Sequence, residues 1–206
     1  MNFPPLLTYS LIISVFCSSA VLADVPTKDE LNLILKKLSH EAILPLYQSA
    51  DEKASALHRQ ILAFCNQPTI ENLQASRQHW SQALTAWETS EVSLFGPAIR
   101  RQRDLHIYFH PVKKRVIKKL LSQESPINAK DLKHAGAGAK GFATVEYFLF
   151  ERETSDTDLL NKFTGSDNRN CQHLLATSTL LQSDIAAIYN EWSKTYHDAV
   201  ALAGQG

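Results

Sequence analysis

The sequence predicts an all-α protein, an up-and-down helical bundle in which kinked and short helices lie between the long ones. Two long amphipathic stripes indicate this class, one after Pro68 and one near the C-terminus. The chain has only 7 Gly and 8 Pro among 206 residues, and it shows no paired strand pattern. Hydrophobic residues make up 44% of the sequence, which is enough for a core and excludes a mainly disordered chain.

The first helical region is expected from about 28 to 65. Pro45 lies inside this region and lacks an amide hydrogen, so it should kink or divide the helix. The apolar face of this region is expected to comprise Leu44, Tyr47, Leu57, Ile61, Leu62 and Phe64.

A second long helix is expected to begin after Thr69, its N-cap, and to end before Gly96 and Pro97. Its stripe comprises Leu73, Arg77, Trp80, Leu84, Trp87, Glu91 and Leu94. Arg77 and Glu91 are charged residues on an otherwise apolar stripe. They are separated by about 21 Å along a helix. Each charge therefore needs a partner on another helix.

Short elements are expected between the long helices. A basic stretch covers 100–119, and its interleaved apolar residues favour a solvated helix face over a surface for anionic lipid. A short helix is expected over 142–150, after a glycine-rich segment at 135–139. The last helix follows a turn and N-cap region at 164–168, and its stripe comprises Leu174, Ser178, Leu181, Ile185, Ile188, Trp192, Tyr196 and Ala199.

The first 23 residues have the order of a secretory signal, an apolar segment followed by small residues before a cut between Ala23 and Asp24. An uncleaved anchor is the alternative. Residues 24–206 then form one helical domain with no second apolar run of membrane-spanning length. Export places the protein in the periplasm or cell envelope.

Export also decides how the cysteines are interpreted. Cleavage of the signal peptide would remove Cys17, so Cys65 and Cys171 remain as one pair in an oxidising compartment. We predict a disulfide between them, with two buried thiols as the alternative.

Charge and motifs exclude several function classes. The chain has 21 Lys+Arg and 21 Asp+Glu, so it lacks the basic excess of a general nucleic-acid-binding protein. It has no P-loop, no dinucleotide-binding fingerprint, no His-Glu-x-x-His and no Gly-x-Ser-x-Gly.

Three blocks in order are distinctive. The first joins Trp80 and Trp87 to EVSLFGP at 91–97, the second is GFATVEYFLF at 141–150, and the third is RNC at 169–171. Together, behind a signal peptide, they resemble the imelysin-like family. These exported bacterial helical proteins are also described as peptidase family M75 and as iron-regulated envelope proteins.

The chain departs from the family pattern at three points. The peptidase-type motif Gly-x-His-x-x-Glu is matched at Gly141 and Glu146, but Ala143 occupies the His position. His110 stands where the family usually has Trp. Family members generally continue into a second helical half, so this chain is expected to be a single-bundle variant or a truncated copy. A face normally covered by that half would favour homo-oligomers.

Glu146 and Glu91 are the candidate ligand- or metal-binding residues. Each is a carboxylate among apolar neighbours, and together they could form an oxygen site for a hard or borderline cation. The alternative is a structural role, in which Arg77, Arg101 and Arg169 are the polar partners of carboxylates. His106 and His110 are four residues apart, but no third ligand accompanies them, so a metal site there is disfavoured.

The resemblance implies an exported envelope protein, a non-catalytic binding protein linked to iron or another divalent metal. Its partners would be envelope iron-uptake components. Because Ala143 cannot ligate a metal or move a proton, no catalytic residue is assigned. Two alternatives stay open: a relative of the M75 metallopeptidases, and a structural or interaction fragment without ligand.

Overall fold

The computed structural model describes residues 25–151, 153–165 and 168–203. The expected signal segment and its cut between Ala23 and Asp24 lie outside the described residues. Within the described residues the regular structure is helical throughout, as the stripes predicted, and no strand is present. Among these helices none is long and apolar enough to cross a bilayer.

Ten α-helices follow one another along the described chain. They are α1 Lys28–Lys37, α2 Leu44–Asn66, α3 Ile70–Ser90, α4 Arg103–Ile107, α5 Lys114–Leu121, α6 Ala129–Leu132, α7 Phe142–Leu149, α8 Asp156–Asn161, α9 Arg169–Glu191 and α10 His197–Ala201. Two π-helical segments, Leu38–Ile43 and Trp192–Tyr196, join α1 to α2 and α9 to α10.

The three long helices α2, α3 and α9 form the core of the bundle, with α2 packed against both of the others. Fully buried aromatic side chains fill the space between them and the short helices: Tyr47, Phe64, Trp87, Phe142, Phe163 and Trp192. Burial of such side chains stabilises the fold by roughly 1.5–3 kcal/mol each.

The expected helix boundaries agree with the structure at two caps and at one proline. Thr69 accepts a hydrogen bond from the Asn72 amide and begins α3, and Asn168 accepts one from the Cys171 amide and begins α9. Pro45 occupies the first turn of α2, where its missing amide hydrogen costs nothing, and the π-helical segment precedes it. The first helical region is therefore divided as predicted.

Some expected core positions are wrong. Leu62 is 44% exposed and Leu94 is 38% exposed. Trp80 is half-buried, and its indole donates a 3.0 Å hydrogen bond to the Phe142 carbonyl. For Leu94 the difference arises because α3 ends at Ser90 and a 3₁₀ turn, Glu91–Ser93, rotates the following residues off the helical stripe. Leu62 lies inside α2, next to the buried Ile61, on the side of the helix that faces solvent.

The disulfide between Cys65 and Cys171 is confirmed, and its Cα atoms are 5.5 Å apart. It joins the end of α2 to the first turn of α9. The bond thus ties together two of the three long helices that form the core of the bundle.

His173 lies fully buried on α9 with its ring against Phe148. Burial lowers the pKa of His173 from 6.5 to about 4. Between those two values the unfolded chain binds a proton that the folded chain does not bind. We therefore expect stability to fall by up to about 3 kcal/mol as the pH drops from 6.5 to 4.

The measurement is urea unfolding of the wild type and His173→Gln between pH 7.5 and pH 4.5. The wild type should lose more stability over this range than the variant, and exposed His134→Gln should behave like the wild type. Equal pH dependence of the wild type and His173→Gln would contradict the prediction.

Candidate functional site

A cleft of about 460 Å³ lies between α5, α7 and the segment that follows α4. Its lining combines imidazole, ammonium and carboxylate groups with apolar side chains: His110, Val112, Lys114, Lys118, Ala143, Glu146, Tyr147 and Glu151. The cleft therefore contains two of the family-motif positions discussed above, Ala143 and Glu146.

The backbone conformation at Gly141 positions α7, which forms one wall of this cleft. Gly141 precedes the helix with φ +78°, and its Cα approaches the carbonyls at the end of α4 so closely that a Cβ would lie 2.4 Å from the Ile107 oxygen. Only glycine fits this position without strain. Ala143 and Glu146, three residues apart, then lie on the same face of α7.

Glu146 is half-buried at the cleft. Among the described residues, its carboxylate has no hydrogen-bond or ion-pair partner within bonding distance. Lys114 and Lys118 line the same cleft, one helical turn apart on α5. The carboxylate therefore shares the cleft with two cationic side chains to which it is not directly bonded.

Glu91 does not line the cleft. Glu91 is half-buried, and burial raises the pKa of its carboxyl group. The nearby Trp87 indole N–H lowers this pKa in part, although it is not within hydrogen-bond geometry of the carboxylate. Burial also raises the pKa of Tyr108, and the charges of Glu146, Glu88 and Glu91 raise it further. The charges of both expected carboxylates thus reach the same phenol, whereas only Glu146 lines the cleft.

The donor set of the cleft does not fit a metal ion held by protein alone. Within the described residues, His110, Glu146 and Glu151 do not bring three ligand atoms within 4.8 Å of one another. Ala143 is 3% exposed and offers only a methyl group. A metal in the cleft would need ligands that the protein does not supply.

The three arginines expected to pair with carboxylates make different contacts in the structure. Arg77 donates to the Asp156 carboxylate on α8 at 2.8 Å and to the Leu149 carbonyl. Among the described residues Arg169 pairs with no carboxylate, and it donates to the carbonyls of Leu120, Leu121 and Ser125. This geometry ties the end of α5 to the start of α9.

Arg101 is exposed with φ +59°, and it makes no ion pair among the described residues. The buried basic residue of this stretch is Arg103, which pairs with Glu191 at 2.6 Å and donates to the Pro97 carbonyl. Arg100 reaches the second oxygen of Glu191. The sequence did not distinguish Arg103 from its neighbours because all three belong to one basic run.

The two histidines spaced four apart are separated by the fold. His106 faces Asp184 of α9 at 3.9 Å, whereas His110 lies beyond the end of α4 and lines the cleft. Burial lowers the pKa of His106, and the charge of Lys140 lowers it further. His110 is the one imidazole among the cleft-lining residues, and it comes from the position where the family usually has Trp.

The fold is shared with imelysin-like proteins of known structure. An imelysin-like protein from Psychrobacter arcticum superposes with a TM-score of 0.72 at 20% identity, over 90% of this chain and 58% of that one. A putative iron-regulated protein A precursor from Parabacteroides distasonis gives a TM-score of 0.76 at 22% identity, over 87% of this chain and 52% of that one. At these identities the likeness shows the fold.

The sequence model of the Imelysin family, peptidase M75, matches residues 43–204, and the chain belongs to this family. Iron-regulated protein A from Synechococcus elongatus is 26% identical over 163 residues, which are 79% of this chain and 41% of the relative. The chain thus spans between two fifths and three fifths of the length of these relatives. The family predicted from the three sequence blocks is confirmed.

Proposed function

We propose that this protein is a non-catalytic binding protein of the bacterial cell envelope, linked to metal uptake, and that the cleft beside Glu146 is its ligand site. One observation carries the proposal: Glu146 is half-buried in a cleft and lacks a bonded partner among the described residues. Burying an unpaired carboxylate is unfavourable, so a structural role would be expected to provide a partner. A ligand would supply one.

The lining indicates the kind of ligand. His110 and Glu146 offer a nitrogen and an oxygen donor, while Lys114 and Lys118 offer positive charge. These groups fit a metal that arrives with its own anionic chelator. Glu146 and His110 would complete the coordination of the metal, and the lysines would pair with carboxylates of the chelator.

Three observations support an envelope protein without peptidase chemistry. The Cys65–Cys171 disulfide is typical of exported proteins. Ala143 stands where the peptidase-type motif has its His. The curated relative named above is described as iron-regulated.

Glu91 would contribute a second negative charge near Tyr108, outside the cleft lining.

The test is equilibrium binding of ferric citrate, with citrate alone and Zn²⁺ as comparison ligands. We expect one equivalent of ferric citrate to bind. Glu146→Gln should weaken this binding at least tenfold, which is about 1.4 kcal/mol. Glu91→Gln should have a smaller effect, because this residue does not line the cleft.

Glu124→Gln, an exposed carboxylate on the chain after α5, is the matched control and should bind like the wild type. Circular dichroism verifies that each variant is folded. Absence of binding in a folded wild type, or equal binding by Glu146→Gln, would contradict the proposal and make the carboxylates structural.

A further inference from the structure

Three metal-ligating side chains meet where the first and last helical segments pack together. They are His40, His197 and Asp198, and their ligand atoms all lie within 4.8 Å of one another. The two imidazole rings contact edge to face with centroids 4.5 Å apart. Among the described residues this is the only group of three His, Cys, Asp or Glu side chains that are so close.

The orientation of His197 is fixed by the backbone. Its Nδ1 lies 2.7 Å from the Trp192 carbonyl oxygen and donates to it, so in the neutral ring Nε2 carries the lone pair. Nε2 in turn lies 3.2 Å from Oδ1 of Asp198. A lone pair and a carboxylate oxygen repel each other unless a cation or a proton lies between them.

The same orientation is typical of metal-bound histidine. A ligating imidazole usually donates its other N–H to a carbonyl or carboxylate, which holds the ring and raises its basicity. Here the Trp192 carbonyl also accepts the backbone N–H of His197, a bond that spans five residues. The hydrogen bond from Nδ1 to the Trp192 carbonyl, which would hold His197 as a metal ligand, is therefore already present.

Two π-helical segments bring these residues together. His40 lies within Leu38–Ile43, and His197 directly follows Trp192–Tyr196. Each wide turn rotates the following residues relative to a regular helix, and such turns occur frequently at functional sites. The juxtaposition thus depends on two local departures from α-helical geometry, and the first of these segments packs against α10.

The helix attached to this site has little else to hold it. None of the residues of α1 is buried, and three of its four large apolar side chains, Leu31, Leu33 and Ile34, are 45–54% exposed. Its principal packing partner outside its own segment is α10. A link between His40 and His197 would therefore join the first helix to the last at a position where apolar burial is small.

We propose that His40, His197 and Asp198 bind a divalent transition-metal ion, Zn²⁺ in particular, which links the π-helical segment after α1 to α10. Imidazole and carboxylate are ligands that Zn²⁺ accepts, and three protein ligands leave a fourth position for water. Tetrahedral zinc needs ligand atoms roughly 3.4 Å apart. The exposed Asp198 and the half-buried His40 can close the remaining distance by changing side-chain rotamers. This site shares no residue with the cleft, so the test of the zinc site is independent of the test of the proposed function.

The test uses the full exported chain, purified without a histidine tag. Co²⁺ is the spectroscopic probe, because four-coordinate Co²⁺ with nitrogen ligands absorbs in the visible range. We expect one equivalent of Co²⁺ to give these bands and Zn²⁺ to displace it. Ca²⁺ should not compete, because it prefers oxygen ligands.

His40→Gln and Asp198→Asn should each weaken Co²⁺ binding at least tenfold. His134→Gln, an exposed histidine outside the group, should bind Co²⁺ like the wild type. In hydrogen exchange, Zn²⁺ should protect residues 28–43 in the wild type and not in His40→Gln.

Three outcomes would overturn the proposal. They are absence of saturable Co²⁺ binding, unchanged binding in His40→Gln, and Zn²⁺ protection that is the same with and without His40. The first would leave His197 and Asp198 as a simple proton-dependent ion pair. His40→Gln and Asp198→Asn are separate substitutions on different helical segments, so a folding defect in one does not remove the test.

Discussion

Gly141→Ala is expected to destabilise the protein by about 3 kcal/mol and to displace α7 from the cleft. The backbone at Gly141 has φ +78°, which L side chains rarely adopt. The added Cβ would also lie 2.4 Å from the Ile107 carbonyl oxygen and 2.6 Å from that of His106. Because both obstacles are backbone atoms, neither can move without shifting the end of α4. Urea unfolding measures the effect.

Gly136→Ala is the matched control, because it lies five residues earlier, in the glycine-rich segment that leads into Gly141. Its φ is −60°, and a Cβ there would meet nothing within 4 Å. We expect this substitution to be neutral or slightly stabilising. Equal effects of the two substitutions would show that the close approach of Gly141 to α4 does not determine the position of α7.

Removing the disulfide is the second large expected effect. Replacing both Cys65 and Cys171 by Ser should lower the free energy of unfolding by about 2–5 kcal/mol. The bond joins residues separated by 106 positions, and closing so long a loop restricts the unfolded chain strongly. It also holds α2 against α9, two of the three long helices that form the core.

Thermal unfolding with and without reductant checks this expectation. Reductant should lower the midpoint of the wild type toward that of the double variant, and it should leave the double variant unchanged. A double variant as stable as the oxidised wild type would contradict the account of how α2 and α9 are held together.

The long helices could be predicted because each carries a sustained apolar period and a recognisable cap. Thr69 and Asn168 are such caps, and both act as expected. Positions at the ends of the stripes could not be predicted, as Leu94 shows. The apolar spacing of α3 continues in the sequence to Leu94, but the helix ends at Ser90 and the following 3₁₀ turn changes the direction of the backbone.

The candidate site could be predicted only in part. Glu146 was singled out by its apolar neighbours and its place in the family motif, and it lies in the cleft. The presence of His110 in the same cleft has no local signal, because it depends on how the chain after α4 packs against α7. Arg103 likewise differs from Arg101 only through the turn between them.

The group formed by His40, His197 and Asp198 had no sequence signal at all. His40 and His197 lie at opposite ends of the described chain, and no spacing rule joins them. The π-helical segments that bring them together alter the 3.6-residue period on which helical spacing arguments rest. Three-dimensional packing was needed to reveal this group.

The most direct test of the cleft as the ligand site is paramagnetic mapping by NMR. Ferric citrate would be titrated into the His40→Gln protein, so that the second proposed metal site is already weakened. The account predicts that amide signals broaden around His110, along α5 and along α7, and that Glu146→Gln abolishes this broadening. Broadening that is absent from these segments, or that persists in Glu146→Gln, would contradict the assignment of the cleft.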